Sequence, residues 1–570
     1  MLKNFKIIIT YNDNKFIETK SSYENNDLIL TITNRNNIYK AQISVKTEII
    51  LNSVKLIGSY NYKLDDKIFI NGYQSWTDSK ELTISDKMKP ISFLAKPILN
   101  KFKFDRYGDY TFKSYANKKG VLHGYTYGYI KNKNIYNLIG SLSEKEGFTI
   151  IETNTLKNKL IINKECEDIK INSSYTLFNL VYITDTEKNV FDFYFNKMSI
   201  KPPTIKPMSG FTTWYNYYEN VNEKIILDNI ESLKEIDTTL DIFQIDDGYQ
   251  TYVGDWLDID KNKFPNGLKA IVNTIKENNL KAGLWLAPFV CETKSNIFKH
   301  KKSWLLKDKS NNLVPAGSNW SGFYVLDLEN NEVKKYLKDV FNTILNIWNF
   351  DMVKLDFLYA ACIIPSNNKT RGQKMTEAMD FLREVTKDKI LLACGVPLGP
   401  SFGKVDFMRI GCDIGLDWND KFYMRNLHRE RISTYNAINN TISRRHLNGR
   451  AFLNDPDVFL LRDSNIKLNN FQKQTIAYIN GLFGSLIFTS DNIKEYTESK
   501  KELFNKIINL KDILIDEIIW INKDFLLVKY EDYKFYMNIS NKKVVYKNMP
   551  LLGFETKIFK KLEGSWIEQN

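Results

Sequence analysis

Carboxylates follow several short apolar runs of the sequence, where side chains able to do chemistry can converge. The charged residues at these positions are Asp246 and Asp247 in QIDDGYQ, Lys354 and Asp356 in VKLDF, Arg409 and Asp413 in MRIGCD, Asp455 and Asp457 in NDPD, and Asp491 in TSDN. The four histidines, by contrast, are scattered without ligand spacing, so a Ser/His/Asp triad or a zinc centre has no supporting residues. The sequence therefore predicts hydrolysis by paired carboxylates.

Two strand-end aspartates have the chemistry that cleavage of a glycosidic bond needs. One carboxylic acid protonates the leaving oxygen and one carboxylate takes the oxocarbenium-like carbon, about 5 Å away when the configuration is retained. Asp356 and Asp413 are the predicted pair. Lys354 precedes Asp356 by two residues, so on a strand both face the same side, and its cation is expected to keep Asp356 ionised as a nucleophile. No metal or other cofactor is predicted.

Each of these residues also has a plain structural explanation. An Asp at a strand end is a common helix N-cap, and for any one of them taken alone the cap is an equally good interpretation. Asp455 and Asp457 flank a proline and are predicted to shape a turn. Trp214, Tyr215 and Trp285 could be barrel core, although each lies at a predicted strand end.

The elements that must position these residues begin at about Ser209, where short apolar runs alternate with amphipathic helical stretches. Eight runs have the length of buried strands: GFTTWYN, DIFQIDDGYQ, KAGLWLAPF, DMVKLDF, KILLACG, VDFMRI, AFLND and GSLIFTSDN. No glycine fingerprint for a dinucleotide accompanies them, so the pattern predicts a (β/α)8 barrel rather than an open sheet. In such a barrel the reacting groups lie at the C-terminal ends of the strands.

The flanks of the barrel have a β-like pattern. The first two hundred residues alternate apolar and polar positions between turn residues, which predicts a β-sandwich, and three prolines at 202, 203 and 207 end it. After about residue 500 short alternating runs return. We predict a multidomain α/β protein with an N-terminal β-sandwich over residues 1–200, a catalytic barrel over 201–495 and a small C-terminal antiparallel β-sandwich over 496–570.

Composition excludes several classes of function. A hydrophobic fraction of 43% and a charged fraction of 26% are typical of a globular protein. The net charge of +13 is spread over 570 residues without a basic run, so nucleic acid is not a predicted partner. No run of eighteen apolar residues and no signal-peptide cleavage pattern occurs, and the five cysteines form no C-x-x-C pair. We predict a cytoplasmic protein without a membrane partner, as a monomer or homo-oligomer.

An ordered set of motifs resembles a known family. GFTTWYNYY, FQIDDGYQ, GDWLDIDKNKFPNGLKAI, KAGLWLAPF, KLDF, LLACGVPLGPSFGKVDFMRIGCD and NDPDVFLLR are similar to segments of the bacterial α-galactosidases (melibiases) of glycoside hydrolase family 36, clan D. The N-terminal NGYQSWT, residues 71–77, also resembles a segment of that family. The resemblance covers most of residues 60–495 and is weak in the C-terminal tail.

The resemblance implies retaining, exo-acting hydrolysis of terminal α-linked galactose from oligosaccharides of the melibiose or raffinose type. By this resemblance Asp356 is the nucleophile and Asp413 the acid/base, and Asp246 and Asp247 hold the galactose O4 and O6 hydroxyls. The other substrate-binding residues that it implies are Lys354 and Arg409 at neighbouring hydroxyls, Trp285, Trp214 and Tyr215 as pocket walls, Cys394 near the C2 substituent, and Trp76 from the N-terminal sandwich.

Three other functions stay open at this point. An α-N-acetylgalactosaminidase on the same fold would differ in the room at C2, around Cys394, Gly395, Arg409 and Cys412. A transglycosylase would need an acceptor site that the sequence does not reveal. A non-catalytic galactose-binding protein is disfavoured because both candidate catalytic aspartates are present. The natural aglycone and linkage and the oligomeric state are also left open by the sequence.

Overall fold

The N-terminal part of the protein is built from two antiparallel sheets. The structure is a computed structural model and describes residues 4–92, 95–166, 168–418, 428–511 and 513–569. Its strands are β1 (Lys6–Tyr11), β2 (Lys15–Thr19), β3 (Tyr23–Glu24), β4 (Leu28–Arg35), β5 (Ile38–Val45), β6 (Ile49–Ser59), β7 (Lys67–Ile70), β8 (Leu82–Thr83), β9 (Val121–Tyr125), β10 (Tyr127–Asn132), β11 (Ile135–Ser141), β12 (Thr149–Asn154), β13 (Lys159–Lys164), β14 (Ile169–Ile171) and β15 (Ser174–Asp185). One sheet has the order β2-β1-β6-β13-β12-β9, with β14 beside β6, and the other has the order β3-β4-β5-β15-β11-β10-β7-β8.

The alternation of apolar and polar residues explains why these two sheets face each other. Ile7 and Ile9 of β1 and Leu56 of β6 point inward and are fully buried, and Leu30 and Ile43 meet them from the other sheet in one cluster. Residues two apart on a strand share a face, so each strand buries one side and leaves the other to solvent. The predicted N-terminal β-sandwich is confirmed.

Eight parallel strands form the central barrel. Seven fall within the runs that the sequence predicts, and the first begins two residues before its run. The strands are β16 (Met208–Thr212), β17 (Ile242–Ile245), β18 (Lys281–Leu286), β22 (Met352–Leu355), β23 (Ile390–Ala393), β24 (Phe407–Arg409), β25 (Leu453–Asp455) and β26 (Leu486–Thr489), paired in sequence order with β26 returning to β16. Between β25 and β26 the amide of Ser485 donates to the carbonyl of Asn454 at 2.8 Å. This nearly closed barrel confirms the predicted fold class.

The helices of the molecule are mostly the connections between barrel strands. They are α1 (Lys96–Phe102), α2 (Glu187–Met198), α3 (Trp214–Tyr217), α4 (Glu223–Ser232), α5 (Gly267–Glu277), α6 (Asn296–His300), α7 (Asn331–Asn342), α8 (Arg371–Thr386), α9 (Thr434–Ser443), α10 (Asn470–Phe483) and α11 (Glu498–Ile508). The strict β/α alternation fails once, because β23 and β24 are joined by residues 394–406 with only a short 3-10 turn at Gly399–Ser401. Pro397 and Pro400 leave no room for a helix there.

A small sheet inserted after β18 and a C-terminal group of strands complete the fold. Between β18 and α7, the strands β19 (Val290–Glu292), β20 (Pro315–Gly317) and β21 (Phe323–Val325) form a small sheet over the barrel. After α11 come β27 (Glu517–Asn522), β28 (Phe525–Tyr530), β29 (Tyr533–Asn538), β30 (Val544–Tyr546), β31 (Met549–Leu551), β32 (Thr556–Leu562) and β33 (Ser565–Gln569). Five of them form an antiparallel sheet that the β30–β31 hairpin contacts through Tyr546 and Phe525, as predicted for the tail.

One buried cluster joins the three parts, while the core between the two sandwich sheets is a separate cluster. Phe69 of the sandwich, Phe211 of the barrel and Phe535 of the C-terminal sheet belong to a single buried cluster. Within the described ranges, no helix is both long and apolar enough to span a bilayer. The domain boundaries predicted at 200/201 and 495/496 stay a prediction.

Candidate active site

The charged residues predicted as site residues converge at the C-terminal rim of the barrel. Asp246 and Asp247 directly follow β17, Asp356 directly follows β22, and Asp413 follows β24 by four residues. Parallel strands in a barrel all end at the same rim, so residues far apart in the chain become neighbours there.

Lys354 pairs with Asp246 rather than with Asp356. Its Nζ lies 2.8 Å from Oδ2 of Asp246, and both side chains are buried. The expected influence of Lys354 on Asp356 stays a prediction, since the direct ion pair of Lys354 is with Asp246. Burial works against the charge of Lys354, but Asp246, helped by Asp356, outweighs it and raises the pKa of the lysine. Gln244 adds a second donor to Oδ2 of Asp246, at 2.6 Å.

Asp247 is held by two side-chain donors. Its Oδ2 accepts from the indole nitrogen of Trp320 at 2.7 Å, and its Oδ1 accepts from Nε2 of Gln250 at 2.6 Å. Burial raises the pKa of Asp247 to about 7, against the opposing effect of these two hydrogen bonds. The strand ends at Ile245 and Gly248 has a φ of +118°, so the chain is already turning at Asp247 and both carboxylates can face the rim.

Asp356 is oriented by two N–H donors on different elements. The indole nitrogen of Trp285 donates to its Oδ2 at 3.1 Å, and the backbone amide of Phe357 donates to its Oδ1 at 2.9 Å. Phe357 itself has a left-handed backbone conformation, with a φ of +52°. Such a conformation is unfavourable for a bulky residue and persists only when its surroundings enforce it. Hydrogen bonds to both oxygens stabilise a carboxylate.

Arg409 connects the candidate acid/base to two deeper carboxylates. Its Nη1 donates to Oδ1 of Asp413 at 2.9 Å, its Nε to Oδ2 of Asp455 at 3.1 Å, and its Nη2 lies 2.9 Å from Oδ1 of Asp457. Asp455 and Asp457 are fully buried, whereas 34% of the Asp413 side chain is exposed. The hydroxyl of Tyr215 donates to Asp457. The two aspartates predicted to shape a turn therefore also hold Arg409.

The electrostatics of the rim favour the protonated form of two carboxyls near Arg409, those of Asp413 and Asp457. Asp413 is partly buried, and the loss of solvent around it raises its pKa, opposed by the cations of Arg409 and Lys354 and reinforced by the charge of Asp356. Burial likewise raises the pKa of Asp457. A carboxyl with a raised pKa keeps its proton to a higher pH, as a general acid must. The surroundings of Asp413 therefore favour a carboxyl that keeps its proton.

Trp76 brings the N-terminal part into the site. Its indole nitrogen donates to the thiol sulfur of Cys394 at 3.2 Å, and its ring packs edge-on against Phe357 at 5.2 Å between centroids. Gly395 has a φ of +59°, and a Cβ placed there would lie 2.7 Å from the Trp76 ring. The segment before Trp76 pairs with the same loop, since the amide of Ser75 donates to the carbonyl of Val396 at 2.9 Å.

Trp320 is the clearest site residue that sequence reasoning missed. It follows no predicted strand and lies in the turn between β20 and β21, where its ring packs against Trp285 and Phe357. Its backbone is left-handed, with a φ of +56°. A tryptophan inside the loop sequence GSNWSG is the signal that was available. Trp214, which was predicted as a pocket wall, begins α3 and packs against Tyr218.

No metal-ligand cluster can be identified among the residues that the structure describes, since none of their His, Cys, Asp and Glu side chains form a suitable group of three. The chemical groups of the rim itself are carboxylates, cations and aromatic rings. The fold and the site together define a (β/α)8-barrel protein with a carboxylate-centred site at the C-terminal ends of the strands.

Comparison with known proteins agrees with this class. Residues 202–386 match the Melibiase family. An α-galactosidase of Lactobacillus acidophilus, Mel36A, is 29% identical over 150 residues, which are 25% of this chain and 20% of that protein. An α-galactosidase of Escherichia coli is 29% identical over 153 residues, again 25% of this chain and 20% of that protein. The match thus spans about a fifth of the length of these curated relatives.

Solved structures match over most of the chain. TtGalA, an α-galactosidase from Thermus thermophilus in complex with p-nitrophenyl α-D-galactopyranoside, superposes with a TM-score of 0.70 at 23% identity, over 90% of this chain and 98% of that chain. The family 36 α-galactosidase AgaA from Geobacillus stearothermophilus superposes with a TM-score of 0.61 at 12% identity, over 99% of this chain and 76% of that chain. The predicted resemblance to family 36 α-galactosidases is confirmed, and these structures share the fold.

Proposed function

We propose that this protein is a retaining, exo-acting α-galactosidase that removes terminal α-linked galactose from oligosaccharides of the melibiose or raffinose type. Asp356 attacks the anomeric carbon while Asp413 protonates the departing glycosidic oxygen. Water, activated by the resulting Asp413 carboxylate, then hydrolyses the galactosyl–Asp356 ester and returns the proton to Asp413. No metal takes part.

The observation that carries this proposal is the unequal support of the two aspartates. Asp356 receives the indole N–H of Trp285 and the amide of Phe357, which suits a carboxylate nucleophile. Asp413 has a raised pKa through burial, which suits a general acid. Both follow strands of one barrel, so a single sugar ring can lie between them.

We assign recognition of galactose to the neighbouring polar side chains. Asp246 and Asp247 accept hydrogen bonds from the O4 and O6 hydroxyls, and Lys354 and Arg409 donate to neighbouring ones. Buried carboxylates discriminate strongly, because a sugar with a displaced hydroxyl leaves a carboxylate unpaired. The pocket walls are formed by Trp76, Trp214, Tyr215 and Trp285, with Cys394 near C2.

Chemical rescue tests the assignment of the nucleophile. The Asp356→Ala variant is expected to lose activity on 4-nitrophenyl α-galactoside by several orders of magnitude, and added azide is expected to restore part of it as β-galactosyl azide. Azide attacks from the face that the missing carboxylate leaves open, which inverts the anomeric centre. Formation of the α-azide would instead make Asp356 the acid/base.

The same substrate set separates the other candidate functions. A parent protein that cleaves 4-nitrophenyl α-N-acetylgalactosaminide faster than the galactoside would be an α-N-acetylgalactosaminidase. Net formation of longer oligosaccharides from raffinose would indicate a transglycosylase. Galactose binding without turnover would identify a binding protein.

We also propose a cytoplasmic location, which the five buried free thiols support, since reducing compartments keep cysteines unpaired.

A further inference from the structure

A buried arginine outside the described site holds the segment that carries Trp76. Arg444 lies directly after α9, and its side chain is fully buried. Its guanidinium donates to Oδ1 of Asn71 at 3.0 Å, the carbonyl of Gln74 at 3.2 Å, Oγ of Ser79 at 2.9 Å, the carbonyl of Ile410 at 2.7 Å, and the carbonyl of Ser75. Four of these five acceptors lie within residues 71–79.

The acceptors of Arg444 are neutral oxygens, not carboxylates. Burial lowers the pKa of this guanidinium to about 10, which reflects the cost of a cation without a charged partner. Such a cation is stabilised only while the surrounding dipoles keep their places. The hydrogen bonds to the guanidinium therefore restrain the position of residues 71–79, in addition to the apolar packing of this segment.

Helix α9 reinforces this hold through a second side chain on the same face. Asn440 precedes Arg444 by four residues, so both face one side of the helix. Its Oδ1 accepts from the amide of Ser79 at 2.7 Å, and its Nδ2 donates to the carbonyl of Thr77 at 3.2 Å. Trp76 lies between these anchored residues.

The other side of Arg444 reaches the acid/base loop. Ile410, whose carbonyl it binds, directly follows Arg409, and Arg409 holds Asp413. The same α9 segment starts beside Asp413, because the amide of Ser433 donates to the carbonyl of Asp413 at 3.1 Å. One guanidinium thus spans the N-terminal wall of the site and the barrel loop that carries the general acid.

We propose that Arg444 is a positioning residue, which fixes Trp76 relative to the Arg409–Asp413 loop. This inference rests on the proposed function, in which Trp76 lines the sugar pocket. A lysine cannot replace Arg444, because a single ammonium group has three donors in place of a fork that reaches five acceptors.

A double-mutant cycle tests whether Arg444 acts through Trp76. Arg444→Lys is expected to raise KM for 4-nitrophenyl α-galactoside about tenfold in the parent, and less than about twofold in a Trp76→Ala background. Arg445→Lys is the matched control. Arg445 is the next residue in the chain and pairs at 2.6 Å with Glu187 of α2, away from residues 71–79, so its KM should stay near the parent value in both backgrounds.

Hydrogen exchange provides a readout that needs no activity. Amides of residues 72–79 should exchange faster in Arg444→Lys than in Arg445→Lys or the parent. Equal effects of Arg444→Lys on KM in both backgrounds, or unchanged exchange of this segment, would overturn the proposal. If Arg444→Lys does not fold, Asn71→Ser removes one acceptor and should produce the same exchange pattern. A parent inactive on α-galactosides would refute the proposed function, while the exchange comparison would still decide the role of Arg444.

Discussion

At the scale of residues, one guanidinium faces three carboxylates. Arg409 contacts Asp413, Asp455 and Asp457, so the group would carry two net negative charges if every carboxyl were ionised. Burial of like charges in one cluster favours retention of a proton. The raised pKa values of Asp413 and Asp457 express this, and of the three carboxyls Asp413 alone is substantially exposed. These features suit the role of general acid that we propose for Asp413.

The first residue-scale prediction concerns Asp413. Asp413→Asn should slow hydrolysis of melibiose by about 10²- to 10⁴-fold, the usual contribution of a general acid. Cleavage of 4-nitrophenyl α-galactoside should suffer much less in its first step, because nitrophenolate leaves without protonation. Burst kinetics with the two substrates measure the difference. An equal loss on both would contradict the assignment.

The second residue-scale prediction concerns how kcat/KM on melibiose depends on pH in the parent and in Asp413→Asn. Because the pKa of Asp413 is raised in the folded protein, the parent stays protonated there to a higher pH, and activity on melibiose falls on the alkaline side as this proton is lost. The alkaline limb of kcat/KM should disappear in Asp413→Asn. An unchanged limb would assign it to another group.

Sugar selection is predicted to depend on Asp246 and Asp247. Loss of a charged partner from a buried hydroxyl costs about 1.5 to 3 kcal/mol, roughly ten- to a hundredfold in kcat/KM. Asp246→Asn and Asp247→Asn should therefore narrow the preference for α-galactoside over α-glucoside by that factor. Folded variants that keep the parent's preference within about twofold would rule these residues out as selectors.

At the scale of elements, the turn after β23 determines how closely Trp76 approaches. Gly395 combines a φ of +59° with a Cβ position 2.7 Å from the Trp76 ring. Gly395→Ala should therefore raise KM as well as lower stability by about 1 kcal/mol or more. Gly449→Ala is the matched control, because its φ is +73° but nothing lies within 4 Å of the added methyl group. Similar KM changes in both variants would disprove the role of the contact.

At the scale of the whole molecule, the shared core predicts cooperative unfolding. One buried cluster runs through the sandwich, the barrel and the C-terminal sheet. Scanning calorimetry should therefore record a single main transition. Phe191→Ala removes a ring stacked 3.8 Å from His446 at the sandwich–barrel interface, and it should lower the midpoint temperature of that transition without dividing it into two. Phe16→Ser, at a site that is 60% exposed, should leave the midpoint temperature unchanged. Two separate transitions in the parent would contradict a shared core.

The sequence by itself determined the barrel, its eight strands, the sandwich before it and the aspartates at the rim. Each strand is recognised from the periodicity of a short stretch of sequence, and in a barrel of parallel strands the site lies at the C-terminal strand ends. Both can therefore be predicted from consecutive residues. Even the end of β17 at Ile245, directly before Asp246, fits the glycine three residues later at Gly248.

Only the tertiary structure decided which side chains meet. Lys354 of β22 pairs with Asp246 at the end of β17, across the intervening strand β18, although Asp356 is closer in sequence. Trp320 reaches Asp247 from a loop 73 residues away, and Arg444 binds residues some 370 positions earlier. Partners separated by such distances leave no local pattern, since their contact depends on loop conformation and packing that only the assembled barrel and sandwich define.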